Sequence, residues 1–272
     1  MKPFLFRRCS YFKACHSQKL TVDSRQPTAD NQPGNQNLNF WWLRLFAVHQ
    51  LLPSFNSAVN LREAYGVARQ RHESGRPTIG LCMVMSIDGS TVVEGRSTLL
   101  SNPTDRDVII ALRAAADTIV VGAGTIREQM YTPPGKLGLR VGVVTRTANL
   151  DFESPLFRSG SGFLIMPQDA KKPDCDFEIE IIRAGQGDVD LQNAMSQLPG
   201  NFIQLEGGPM LNASMFAANL VDEINLTISP MVTGADSPRL SNGAPALHRD
   251  YEVAHVLEHD GFLFIRYLRK TS

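Results

Sequence analysis

The sequence is short of the features that announce a metal, a membrane span or a disulfide framework. Four cysteines, Cys9, Cys15, Cys82 and Cys175, serve 272 residues, and no two form a C-x-x-C pair. The six histidines show no ligand spacing beside them. Neither a zinc site nor a disulfide framework is therefore indicated, and reduced thiols in a cytoplasmic protein are the simplest reading. No apolar run approaches membrane-spanning length. Charge of one sign is not in excess either: 27 Lys and Arg balance 27 Asp and Glu, so no overall field favours nucleic acid. G-x-G-x-x-G, G-x-x-x-x-G-K-[ST] and G-x-S-x-G are all missing, which removes the standard dinucleotide, P-loop and serine-hydrolase fingerprints.

What is there centres on Glu206-Gly207-Gly208-Pro209. The apolar run 201–205 precedes it and an amphipathic run, 211–220, follows. Two glycines with Pro209 at a first helical position make a strand–turn–helix junction. Such a junction offers unpaired N–H groups and the positive end of a helix, which suits a phosphate; it is equally a tight turn that lets helix and strand pack closely.

Residues 1–38 read as an extension. Residues 1–19 are basic and aromatic without an acidic residue, and 21–39 are polar, with Pro27, Pro33 and Gly34. This part is too poor in apolar residues to offset the entropy of ordering, so it is expected to be disordered, a targeting segment, or the product of a start placed too far upstream. Residues 39–76 are expected to form an arm and a helix packed on the main domain, which runs over 77–272. The apolar stretch 40–52 reads as a first strand or a buried arm, and 60–72 as a short helix.

From Thr78 the pattern becomes regular. Strands are expected over 78–87, 118–121, 139–145, 163–166, 177–182, 201–205 and 223–229. Helices are expected from Asn102-Pro103 to about 116, from about 126, over 188–198 and over 211–220; Asp105 and Asp107 favour the dipole of the first. Asp260-Gly261 between two apolar runs, 251–258 and 262–268, is a strong hairpin signal. Together these describe an α/β protein with a mostly parallel central sheet flanked by helices and an antiparallel C-terminal hairpin. Ligands of such sheets bind at the carboxyl ends of the strands. Gly122-Ala123-Gly124-Thr125, Thr145-Arg146-Thr147 and the Glu206 turn all fall there.

Arg146, between two hydroxyls, could grip a phosphate monoester. Asp88, before Gly89, could face the cleft as a proton donor, though a turn-forming Asp accounts for it as well. Ser97 and Arg113 could contact a polar substrate; Arg113 near a helix end also suits the dipole.

Six ordered motifs then resemble the reductase domain of the riboflavin-biosynthesis pyrimidine deaminase/reductases, which have the dihydrofolate-reductase-like fold. They are MSIDG at 85–89, LRA at 112–114, DTIVVGAGT at 117–125, VVTR at 143–146, QLEGGPML at 204–211, and 220–224 with Ser229-Pro230. The resemblance implies an NADPH-dependent reduction of the ribose of a 5-amino-6-(5-phosphoribosylamino)uracil-type intermediate to a ribityl chain. It implies cofactor contacts at Gly122, Gly124, Thr125, Thr145, Glu206, Gly207, Gly208 and Pro209, with Arg146 reading the 2′-phosphate. Ser97, Arg113 and Gln129 fall at substrate positions, although relatives commonly carry an acidic residue where this chain has Gln129. Glu206, whose charge would repel a phosphate, is expected to turn away and bond backbone N–H groups. H-x-E and P-C-x-x-C are missing, so no deaminase activity is expected. A homodimer is implied as well. The alternatives are a reductase of the same fold acting on a pterin or other heterocycle, and a non-catalytic nucleotide-binding protein.

Overall fold

The computed structural model describes residues 47–270, apart from 130, 235 and 244. The extension at 1–38, and residues 40–46 of the expected arm, lie outside the described residues. Ten strands form one sheet: β1 (His49–Leu52), β2 (Thr78–Ser86), β3 (Thr118–Gly122), β4 (Arg140–Val144), β5 (Gly162–Met166), β6 (Ile181–Arg183), β7 (Phe202–Leu205), β8 (Glu223–Ser229), β9 (Tyr251–His259) and β10 (Phe262–Arg269). Their order is β1-β9-β10-β8-β2-β7-β3-β4-β5-β6. From β8 to β6 every neighbouring pair is parallel. β10, β9 and β1 add antiparallel strands at the other margin. The expected mixed sheet is therefore present, with its closing hairpin: Asp260 and Gly261 both have positive φ, +50° and +78°, as a two-residue hairpin turn requires.

Parallel strands buried on both faces read as continuous apolar runs, and here alternate residues divide between two cores. Ile119, Val121, Val141, Val143, Leu164 and Met166 belong to one. Val120, Phe163, Ile165, Ile203 and Leu205 belong to the other. Helices α1 (Leu61–Tyr65), α2 (Pro103–Ala115) and α4 (Pro155–Arg158) cover the first face. Helices α5 (Leu191–Ser196) and α6 (Pro209–Ala217) cover the second. The short α3 (Ala123–Glu128) follows β3 directly.

Three expectations change. The helix expected over 60–72 ends at Tyr65, where the Gly66 N–H bonds to the Arg62 carbonyl and closes the turn. The strand expected over 177–182 shortens to Ile181–Arg183, and α4 was not foreseen: four residues are too few for a periodic pattern to emerge. By contrast, α2 begins as its sequence directs, with Asn102 Oδ1 accepting the Asp105 N–H at 2.8 Å.

Candidate active site

The carboxyl ends of β3 and β7 meet through one backbone bond: Gly122 N–H donates to the Gly207 carbonyl at 2.7 Å. The two glycine turns separated in sequence are thus a single structural unit. Gly207 has φ +80°, a left-handed conformation that favours glycine. Gly208, the N-cap of α6, has no side chain to occupy the helix end. A Cβ on Gly208 would stand 2.9 Å from Thr125 Oγ1. Thr125, Gly208 and Pro209 all border a cavity of about 570 Å³. An open helix N-terminus beside a bare-backbone turn and a hydroxyl fits the pyrophosphate of a dinucleotide.

Other expected site residues gather around this cavity. Ser97 stands on a 3₁₀ turn (Ser97–Leu99), and its Oγ accepts from Gln129 Nε2 at 2.9 Å. Arg113, on α2, reaches Glu206 with two bonds of 2.7 Å, from Nε to Oε1 and from Nη2 to Oε2. Its guanidinium also lies 5.6 Å from the centre of the Tyr131 ring. Gln204 Nε2 adds a third donor to Glu206, at 2.9 Å.

This corrects the expectation for Glu206. Its carboxylate is held by an arginine and an amide, not by backbone N–H groups; a planar guanidinium matches both of its oxygens at once. Arg113 is correspondingly committed, with its charge compensated before any ligand arrives.

Asp88 is the larger correction. It is exposed and lies outside the cavity lining. Its carboxylate accepts from Ser86 Oγ, from Gly234 N–H at 2.8 Å and from Thr233 N–H at 3.2 Å. These donors, the Ser86 hydroxyl first, hold the carboxyl far below its ordinary pKa. Asp88 therefore ties two loops together outside the cavity, whereas the sequence suggests a residue facing the cleft.

Arg146 is exposed just beyond β4 and does not border the cavity. Thr145 is buried, and its hydroxyl accepts the Ala148 N–H at 3.1 Å, shaping the turn that presents Arg146. Gly124 lies within α3.

One cavity residue escaped the sequence reading. Asp105 is only 2% exposed and borders the cavity with Cys82, Ser101 and Arg113. Ser101 Oγ donates to its Oδ2 at 2.6 Å, and the Thr227 side chain is a second partner. Burial pushes its carboxyl above the usual range despite these bonds. A signal did exist: Asp105, Val108 and Leu112 share the buried stripe of α2, so an acid occupies an apolar position. In a first turn it reads instead as a dipole partner.

Among the described residues, no group of three or more His, Cys, Asp or Glu is placed to hold a metal. Cys82 and Cys175 carry free thiols, and no described helix is long and apolar enough to cross a membrane.

A model of the RibD C-terminal domain family matches residues 77–259. The chain belongs to the RibD C-terminal domain family. It is 28% identical over 217 residues to the 2,5-diamino-6-ribosylamino-4(3H)-pyrimidinone 5′-phosphate reductase of Methanothermobacter thermautotrophicus, covering 72% of this chain and 99% of that one. It is 25% identical over 193 residues to the riboflavin biosynthesis protein RibD of Escherichia coli, spanning 52% of that longer protein. Among solved structures, a pyrimidine reductase-like protein from Corynebacterium diphtheriae superposes with TM-score 0.67 at 24% identity, over 79% of this chain and all of that one. That likeness establishes the fold. The RibD match begins at residue 77, where the regular strand–helix pattern starts, and takes in both glycine turns and the Arg113–Glu206 pair.

Proposed function

We propose that this chain is an NADPH-dependent reductase of riboflavin biosynthesis. Its substrate is a phosphoribosylaminopyrimidine, of the 5-amino-6-(5-phosphoribosylamino)uracil type or its 2-amino counterpart, whose ribose becomes a ribityl chain. The observation that carries the reading is the joined pair of glycine turns opening onto a cavity large enough for a nicotinamide and a pyrimidine. NADPH, when bound, would supply hydride to C1′ of the open-chain imine, formed as the C1′–O4′ bond breaks and O4′ takes the proton of the amine; a proton from solvent then completes the nitrogen. The protein's own task is to orient the two partners and keep water out. The α6 N-terminus, Gly207-Gly208 and Thr125 would hold the pyrophosphate region. Arg113, fixed by Glu206, and the Ser97–Gln129 pair would bind and orient the substrate. Arg146, with its guanidinium exposed at the end of β4, would read the 2′-phosphate that separates NADPH from NADH. The assembly we propose is a homodimer acting in the cytoplasm; a monomer mass by sedimentation would reject the dimer.

Following NADPH absorbance with a phosphoribosylaminopyrimidine against dihydrofolate tests the activity. Oxidation with the pyrimidine alone is expected, and turnover with dihydrofolate alone rejects the reading. Arg146→Ala should weaken NADPH binding roughly tenfold or more, as loss of a charge-assisted contact does, and leave NADH binding unchanged. An unaltered NADPH preference in that variant would remove Arg146 from the role.

A further inference from the structure

Two carboxylates bordering the cavity, half-buried Glu206 and buried Asp105, have opposite circumstances. Glu206 is matched by Arg113. Among the described residues, the side-chain partners of Asp105 are the hydroxyls of Ser101 and Thr227, and no cation forms an ion pair with it. Arg106 is its chain neighbour and acts on it only weakly. Of the other titratable groups facing it, Tyr65 is buried and Cys82 half-buried, and desolvation raises both, which keeps them neutral. A buried carboxylate without a cation is costly, and two hydroxyl donors leave lone pairs unfilled on an ionised carboxylate. The backbone of Asp105 is already used by the Asn102 cap, so the side chain is free of any capping duty. Asp105 and Arg113 lie on the same helix and line the same cavity.

We propose that Asp105 is the specificity-determining residue for the pyrimidine base, selecting a 2-amino-4(3H)-pyrimidinone over a uracil. The inference rests on the reductase reading above and names its substrate more closely. A 2-amino-4(3H)-pyrimidinone presents its ring N3–H and its exocyclic amine side by side, two donors that match the two oxygens of one carboxylate. A uracil replaces that amine with a carbonyl oxygen, so a carboxylate on the same edge meets one donor and one repelling acceptor. A site built for a donor pair discriminates strongly against an analogue that lacks one, because a buried polar group is then left unpaired. Burial by itself favours the neutral acid, which would offer one donor and one acceptor, so the selection operates through the ionised carboxylate that two substrate donors stabilise.

The test compares kcat/KM for 2,5-diamino-6-ribosylamino-4(3H)-pyrimidinone 5′-phosphate and 5-amino-6-(5-phosphoribosylamino)uracil, in the full chain and in Asp105→Asn. The native enzyme should favour the 2-amino compound at least about 100-fold. An asparagine offers one acceptor and one donor, matching the N3–H and carbonyl of uracil, so the variant should lose most of that preference, mainly through KM. Fluorescence titration with NADPH, expected to be unchanged, shows that the variant is folded. Equal or preferred use of the uracil by the native enzyme overturns the assignment while leaving the reductase reading intact. So does an Asp105→Asn variant that slows both substrates equally. Turnover of neither compound overturns the reductase reading itself.

Discussion

Gly208 shows how little room the turn before α6 leaves. Its φ is −66°, which any residue adopts, and the crowding a larger side chain meets lies in the space around it. An added methyl would crowd Thr125 Oγ1 at 2.9 Å, and overpacking of this kind costs about 1–3 kcal/mol. Gly208→Ala should therefore raise the Kd for NADPH roughly tenfold while the protein stays folded; an unchanged Kd by fluorescence titration would show that the turn does not touch the cofactor. At this scale the sequence was partly legible. Gly207, Gly208 and Pro209 declare a turn before a helix, and Asn102 declares its cap. The Arg113–Glu206 pair did not declare itself, because its members are separated by 93 positions and each has a common local explanation. Asp88 misled for the converse reason: an acid after a strand fits a cleft or a loop tie equally well, and only Thr233 and Gly234, supplied from far along the chain, distinguish them.

Among elements, the segment between α1 and β2 is held by charge where its helical pattern stops. Arg69 donates to the Tyr65 carbonyl at 2.6 Å and to Glu223 of β8 at 2.7 Å, and its guanidinium lies 4.4 Å from the Phe202 ring centre. Arg266 of β10 reaches the same Glu223 at 2.8 Å. Burial alone would raise the Glu223 carboxyl; the two guanidiniums override it and hold it at about 2. Breaking such a buried pair from one side leaves a charge uncompensated, so Arg69→Ala should cost about 3–5 kcal/mol, read as a lowered urea midpoint. A loss under 1 kcal/mol would mean that Arg266 suffices alone. Strong elements such as α2, β8 and the closing hairpin could be read from periodicity and turn residues. The end of α1 and the short α4 could not, because tertiary contacts such as that of Arg69 decide where so brief an element stops.

For the whole molecule, two buried groups set the same sense of pH dependence. His255 is pulled down to about 4, first by burial and then by Arg266. The unfolded chain therefore binds more protons than the native one between pH 6.5 and 4, and stability is complete above that window and lost as pH falls through it. Between pH 7.5 and 5 the His255 contribution to the loss should be about 2 kcal/mol, opposed in part by Asp105, whose raised carboxyl stabilises the native state as pH falls. His255→Asn should flatten that slope in urea unfolding; an equally steep slope would remove His255 as its source. Glu223, depressed as well, adds its own loss only below about pH 4.5. The order of strands was not readable, since β7 enters between β2 and β3 with the whole of 123–201 intervening after β3, and no local pattern encodes that return. At the opposite margin, β1 lies against only the last part of β9, pairing His49, Gln50 and Leu52 with Glu258, Leu257 and Val256. The four residues of β1 act as a stopper. Without them the end of β9 at 256–258 would present unpaired amide donors and acceptors to another strand, so a very small element closes off that corner of the sheet.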